Sequence, residues 1–213
     1  MPKSNSKNNI YNLKNTKKYI LKEEETETEE EEVDTNEIKV NENDIYLYTD
    51  VNNETALNFN IELKKLEKKL LILSIKYSIE PPEIKLHINS DGGCIFSAIS
   101  MVDTIRGCKV PVTTIIEGRA ASAATLISVC GHKRQITRNS HMLIHQLNTG
   151  FFGKHNEFED EMTNQKTLMK LIKKIYKEQT SITEKKLNEC LVKDIWWTSS
   201  YCLRTSLVDE IIE

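Results

Sequence analysis

VPVTTIIEGRAASAATLISVCG, residues 110–131, contains two kinds of pattern in succession. The first part, VPVTTIIEG (110–118), is a β-branched, apolar run without an alternating polar face, as expected of a strand buried on both sides of a sheet. The second, AASAATLISVCG (120–131), is small and apolar and closes on Gly131, which predicts a tightly packed helix with a glycine stop. A buried strand that feeds a helix directly is the repeating unit of an α/β domain, with parallel pairings and right-handed crossovers.

The same alternation extends outward. Upstream, EIKLHIN (83–89) alternates as a strand and enters the turn residues SDGG, after which CIFSAISMVDTI carries a helical pattern. Farther upstream, NDIYLYT (43–49) is a short strand, and Phe59, Leu63, Leu66, Leu70, Leu73 and Tyr77 follow at steps of four and three, one face of a helix that Pro81 and Pro82 stop. Downstream, HMLIHQL (141–147) is another strand. A long helix is expected over 156–178, with Phe158, Met162, Met169, Ile172 and Tyr176 on one face, and a shorter one over 183–191. No internal repeat is visible.

With 213 residues, the chain has room for one domain and a tail, since a domain takes roughly 150 residues. A formal net charge of -3 gives no basic field for nucleic acid, and no apolar run reaches the roughly 20 residues of a membrane helix. Cys94, Cys108, Cys130, Cys190 and Cys202 form an odd set without a CxxC pair, which predicts reduced, core-packed thiols, no metal centre and a cytoplasmic setting, organelles included. Residues 1–22 carry six lysines and no acid, whereas 23–32, EEETETEEEE, carry eight glutamates. Such blocks repel themselves and stay solvated, so 1–42 reads as a disordered tail and 43–213 as the folded domain.

One serine stands among the small residues of EGRAASAA (117–124). Acyl transfer by serine needs a base within reach, a carboxylate to orient that base, and backbone N–H donors for the oxyanion. Ser122 begins a predicted helix, where unpaired N–H groups favour negative charge; His145 ends an apolar strand; Gly92 and Gly93 let a backbone N–H approach a ligand closely. Each also has a plain structural reading: a close-packing serine, a satisfied core histidine, an ordinary strand-to-helix turn.

The blocks HINSDGG, GRAASAATLISVCG, NSHMLIHQ and LVDEII (207–212), in this order, resemble the proteolytic-subunit family of the ATP-dependent Clp protease, over roughly residues 44–213. The resemblance implies a crotonase-like fold of repeated strand-strand-helix units with a protruding strand-helix handle at about 150–178. It implies Ser122 as nucleophile, His145 as general base and Asp194, in KDIWWTS, as the acid, with the N–H groups of Gly93 and Ala123 as oxyanion hole. Four features depart from the family pattern: Asp91 replaces a proline, Ala123 a methionine, Val192 and Lys193 an acidic-arginine pair linked to ring contacts, and the lysine and glutamate blocks the segment that meets the unfoldase.

The implied activity is serine-type endopeptidase action on unfolded proteins and peptides, by stacked seven-membered homo-oligomeric rings. An AAA+ unfoldase partner would spend the ATP, and this chain itself would bind no cofactor. A non-catalytic ring subunit or adaptor is the alternative. An acyl-CoA-processing enzyme on the same scaffold is a third; it needs an oxyanion hole but no serine-histidine pair.

Overall fold

A computed structural model describes residues 38–213. In the order of the chain these form β1 (Lys39–Asn41), β2 (Asp44–Leu47), α1 (Asn53–Tyr77), β3 (Ile84–Ser90), α2 (Ile95–Arg106), β4 (Val112–Ala121), α3 (Ala123–Ser128), β5 (Lys133–Thr137), β6 (His141–Leu143), α4 (His155–Gln179), α5 (Glu184–Leu191), β7 (Trp196–Thr198), α6 (Ser199–Arg204) and β8 (Glu210–Ile212). The fold is α/β, as the alternation of strands and helices predicts.

The strands lie in the order β1-β2-β3-β4-β5-β8, with β6 attached to β4 and β7 to β6. From β2 to β8 the pairings are parallel, so each connection must cross a face of the sheet. Helices α1 and α2 fill those crossovers. Phe59, Leu63, Leu66 and Leu70 of α1 and Met101, Val102 and Ile105 of α2 belong to one buried core with Ile84, Leu86 and Ile88 of β3. Each such side chain contributes about 1.5–3 kcal/mol by leaving water. Asn52 caps α1 by accepting from the Thr55 N–H (2.9 Å), and the helix ends where Ser78 turns left-handed, three residues before Pro81.

β4 decides where the site lies. Its residues Thr113–Ile116 pair with β5, whereas Arg119–Ala121 pair with β6, so the strand changes neighbour on one edge midway along its length. Gly118 stands at the change with φ +89°, and a Cβ there would come 3.2 Å from the Asn89 side chain. The register of β3 against β4 shifts at the same level, between Ile88 and Ser90.

Several expectations are corrected. Ala120 and Ala121, assigned to a helix, complete β4 because the β3 and β6 backbones lie beside them, so α3 starts only at Ala123. The strand expected over 141–147 ends at Leu143, after which the Gln146 N–H donates to the Leu191 carbonyl outside any ladder. No strand is assigned between Ile144 and Lys154, where the strand of a handle was expected. Helix α4 forms as predicted, but only its C-terminal half enters the core, through Ile172, Ile175 and Tyr176, while Phe158 and Met162 are exposed. The polar composition that assigned 38–42 to the tail is overridden by the buried Ile38 and by pairing of Lys39–Asn41 with β2. The remainder of the expected tail, 1–37, lies outside the described residues. Among the described residues no helix is long and apolar enough to cross a membrane.

Candidate active site

Ser122 is the joint between β4 and α3. Its φ of +51° and ψ of −122° are rare for a residue with a side chain, a conformation costing about 1–3 kcal/mol that neighbours must hold in place. They do so through the backbone: the Ser122 N–H donates to the Leu143 carbonyl (2.9 Å) and the Ser122 carbonyl accepts from the Thr125 N–H (3.0 Å). The hydroxyl makes no capping bond to the helix.

The SDGG turn packs against this joint. Gly92 has φ +91°, and a Cβ on it would come 2.5 Å from the Ala121 carbonyl oxygen and 2.9 Å from the Ser122 Cβ; only glycine fits. The turn is fastened to Val51 by Val51 N–H to the Gly92 carbonyl (2.8 Å) and Cys94 N–H to the Val51 carbonyl (2.7 Å). That pattern leaves out the N–H of Gly93. Ala123, the first residue of α3, likewise has no acceptor one turn earlier in its own helix.

Gly93, Ser122, Ala123 and His145 line one cavity of about 280 Å³. Leu126 of α3 and Ile172 and Tyr176 of α4 give it an apolar wall. The Tyr176 hydroxyl is bonded to Thr125 Oγ1 (2.5 Å), and burial pushes that phenol well above its usual pKa, so it stays neutral. His145 is half-buried, and its Nδ1 faces Asp194 Oδ1 at 3.9 Å, longer than a hydrogen bond. Asp194 does not line the cavity. A larger groove of about 500 Å³ runs between α1 and α2, lined by Leu63, Glu67, Phe96 and Asp103 among others; no histidine or thiol lines it. No group of three or more metal-ligating side chains is assembled among the described residues.

The surroundings of the site go beyond the sequence reading. Cys94, expected in the core, is exposed and lines the cavity, while Cys108, Cys130, Cys190 and Cys202 are buried. Hydrogen bonding from Ser97, at the start of α2, holds the Cys94 thiol below its usual pKa. Tyr176 and Ile172 read as a core stripe, which they are, and their outer edge also forms the wall of the site. Asp91, the residue that replaces the family's proline, is paired with Arg119: Nε to Oδ1 and Nη2 to Oδ2, both 2.6 Å.

A family model described as Clp protease matches residues 27–213. Among curated proteins, the ATP-dependent Clp protease proteolytic subunit of Deinococcus radiodurans is 30% identical over 133 residues. The match covers 62% of this chain and 65% of that relative, just under two thirds of its length.

Proposed function

The chain belongs to the Clp protease family, and on that footing we propose that it is a serine endopeptidase hydrolysing peptide bonds in unfolded proteins and peptides. What supports the reading is the convergence of Ser122, His145, Gly93 and Ala123 on one cavity. Ser122 Oγ attacks the scissile carbonyl carbon while His145 takes the hydroxyl proton. The oxyanion is met by the N–H groups of Gly93 and Ala123, each such donor lowering the barrier by about 3 kcal/mol. His145 returns the proton to the departing amine, leaving an ester on Ser122. Water then repeats the cycle, with Asp194 fixing the imidazole tautomer and offsetting its charge. Replacing the family's methionine by Ala123 leaves the N–H in place and alters the shape of the cleft.

The protein works as an oligomer of stacked rings, with residues of about 150–178 as the handle. Phe152, wholly exposed, and Phe158 and Met162, about half exposed, support this, since a partner copy would bury them. An unfoldase partner would spend the ATP. A second reading, a non-catalytic ring subunit, is favoured by one observation: Asp194 is 83% exposed and 3.9 Å from His145.

Labelling with a fluorophosphonate probe, read by intact mass, tests the reading. Attack by Ser122 expels fluoride and forms one phosphonyl ester. One adduct on the wild type, absent from Ser122→Ala and His145→Ala, is the expected result. A folded, assembled preparation that takes no adduct would move the assignment to the scaffold subunit.

A further inference from the structure

We propose that the Asp91–Arg119 ion pair is a positioning clamp that holds the turn carrying Gly93 at a fixed distance from Ser122. The inference rests on reading Ser122 as the nucleophile and Gly93 as an oxyanion donor. It concerns two residues that touch neither.

The turn from Ser90 to Cys94 has two sides. Toward the segment after β2 it is fastened by three bonds, the two to Val51 and Ser90 Oγ to the Thr49 carbonyl (2.7 Å), and inside the turn the Gly92 N–H donates to Ser90 Oγ (3.1 Å), which ties it to its own anchor. Toward β4, the strand that ends in Ser122, the main-chain ladder has just broken. The β3–β4 register shifts between Ile88 and Ser90, and a single rung, Ser90 opposite Ala120, remains beyond the shift. Asp91 is the first residue beyond that rung on β3, and Arg119 is the residue just before it on β4, at the end of the irregular stretch. Arg119 Nη2 donates to Asp91 Oδ2 (2.6 Å) and Arg119 Nε lies 2.6 Å from Oδ1, so two contacts brace the strands where the ladder is irregular.

A guanidinium fork on a carboxylate fixes both distance and angle, which one lysine-type contact would not. Asp91 lies two residues from Gly93, and Arg119 three from Ser122, so the clamp joins the two halves of the reacting geometry by short covalent routes. The side chains are 52% and 56% exposed. An exposed pair adds little to global stability, and added salt screens it. Its effect therefore falls on the rate at which Ser122 reacts and leaves the melting temperature unchanged.

The experiment measures fluorophosphonate inactivation of the full chain, separated into KI and the maximal rate kinact, for the wild type, Asp91→Asn, Arg119→Gln, Arg119→Lys and the swap Asp91→Arg/Arg119→Asp. A displaced oxyanion donor costs less than a deleted one, so kinact should fall about tenfold in Asp91→Asn and Arg119→Gln with KI and thermal midpoint unchanged. Arg119→Lys should fall between these and the wild type, and the swap should recover most of the loss. Raising salt from about 0.05 to 0.5 M should slow the wild type and leave the neutralised variants unaffected. Neutralised variants that keep the wild-type kinact, that lose it together with the thermal midpoint, or that the swap fails to rescue would overturn the clamp alone. A wild type that takes no label overturns the serine reading and the clamp with it.

Discussion

Asp194 Oδ1 stands 3.9 Å from His145 Nδ1, with the aspartate side chain 83% exposed. The histidine is held by the segment after β6, whereas the carboxylate lies between α5 and β7 on a stretch exposed from Val192 to Trp196. Closing the gap by about 1 Å would make a charge-assisted bond, and a neighbouring subunit packed on that stretch would supply the restraint. Labelling of Ser122 per chain should therefore rise with protein concentration. Asp194→Asn should have little effect on the dispersed chain and a large one, up to about 10⁴-fold, on the assembled protein. Labelling rates measured across a dilution series beside sedimentation check this; rates independent of assembly would show the triad complete within one chain.

Gly92→Ala should abolish labelling. The new Cβ would meet the Ala121 carbonyl at 2.5 Å and Ala123 N at 2.8 Å, and φ +91° disfavours any side chain. Strain of about 1–3 kcal/mol should lower the thermal midpoint as well. Gly150→Ala is the control: a Cβ there meets nothing within 4 Å, so stability should hold or rise by about 0.4–1 kcal/mol. Equal midpoints for the two variants would contradict the packing of the turn.

Much of this was legible in sequence because the signals were local. The apolar run at 110–118 and the stepped leucines of α1 record burial, and the elements formed where they say. The boundaries of α3 and β6 were not legible, since Ala120 and Ala121 have no strand propensity of their own and join β4 because β3 and β6 lie alongside. The site divides in the same way. Ser122, His145 and Gly93 stand out by residue type and family spacing. Arg119 carries no such mark: its partner lies 28 residues away across a broken ladder, and only the fold brings them together.

Cys94 should be the first thiol to react. It is exposed, and Ser97 holds its pKa down, whereas burial pushes Cys130 up to about 11 and Cys202 to about 12. Because the thiolate is the nucleophile, alkylation by iodoacetamide should reach half its maximal rate at a lower pH than for an ordinary cysteine, and Ser97→Ala should move that midpoint upward. As Cys94 lines the same cavity as Ser122, the adduct should block fluorophosphonate labelling, and Cys94→Ala should protect. Peptide mapping after limited alkylation identifies the site; preferential modification of any other cysteine would contradict this exposure pattern.

At the opposite end of the domain, Asp209 should set part of the acid limit of stability. Arg134, on β5, bonds its carboxylate through Nε (2.9 Å) and Nη2, and the Arg134 N–H adds a third bond (2.9 Å). The Arg134 side chain bond, then the backbone bond, lower the Asp209 pKa against the opposing effect of burial. A carboxyl whose pKa is depressed by folding stabilises the protein above its unfolded value of about 3.9, and that stabilisation is lost as pH falls through the lower folded value. Asp209→Asn should thus lower stability at neutral pH and flatten the acid side of the stability curve. The carboxylate is 39% exposed, so the loss should lie near the lower end of the range for charged hydrogen bonds, about 1–2 kcal/mol. Because Arg134 is only 12% exposed and also donates to the carbonyls of Gln179 and Ser206, Arg134→Ala should cost more, leaving Asp209 and both carbonyls short of a donor. Denaturant unfolding of the three proteins between about pH 3 and 7 measures both slopes; parallel curves for wild type and Asp209→Asn would mean that the pair contributes nothing to acid sensitivity.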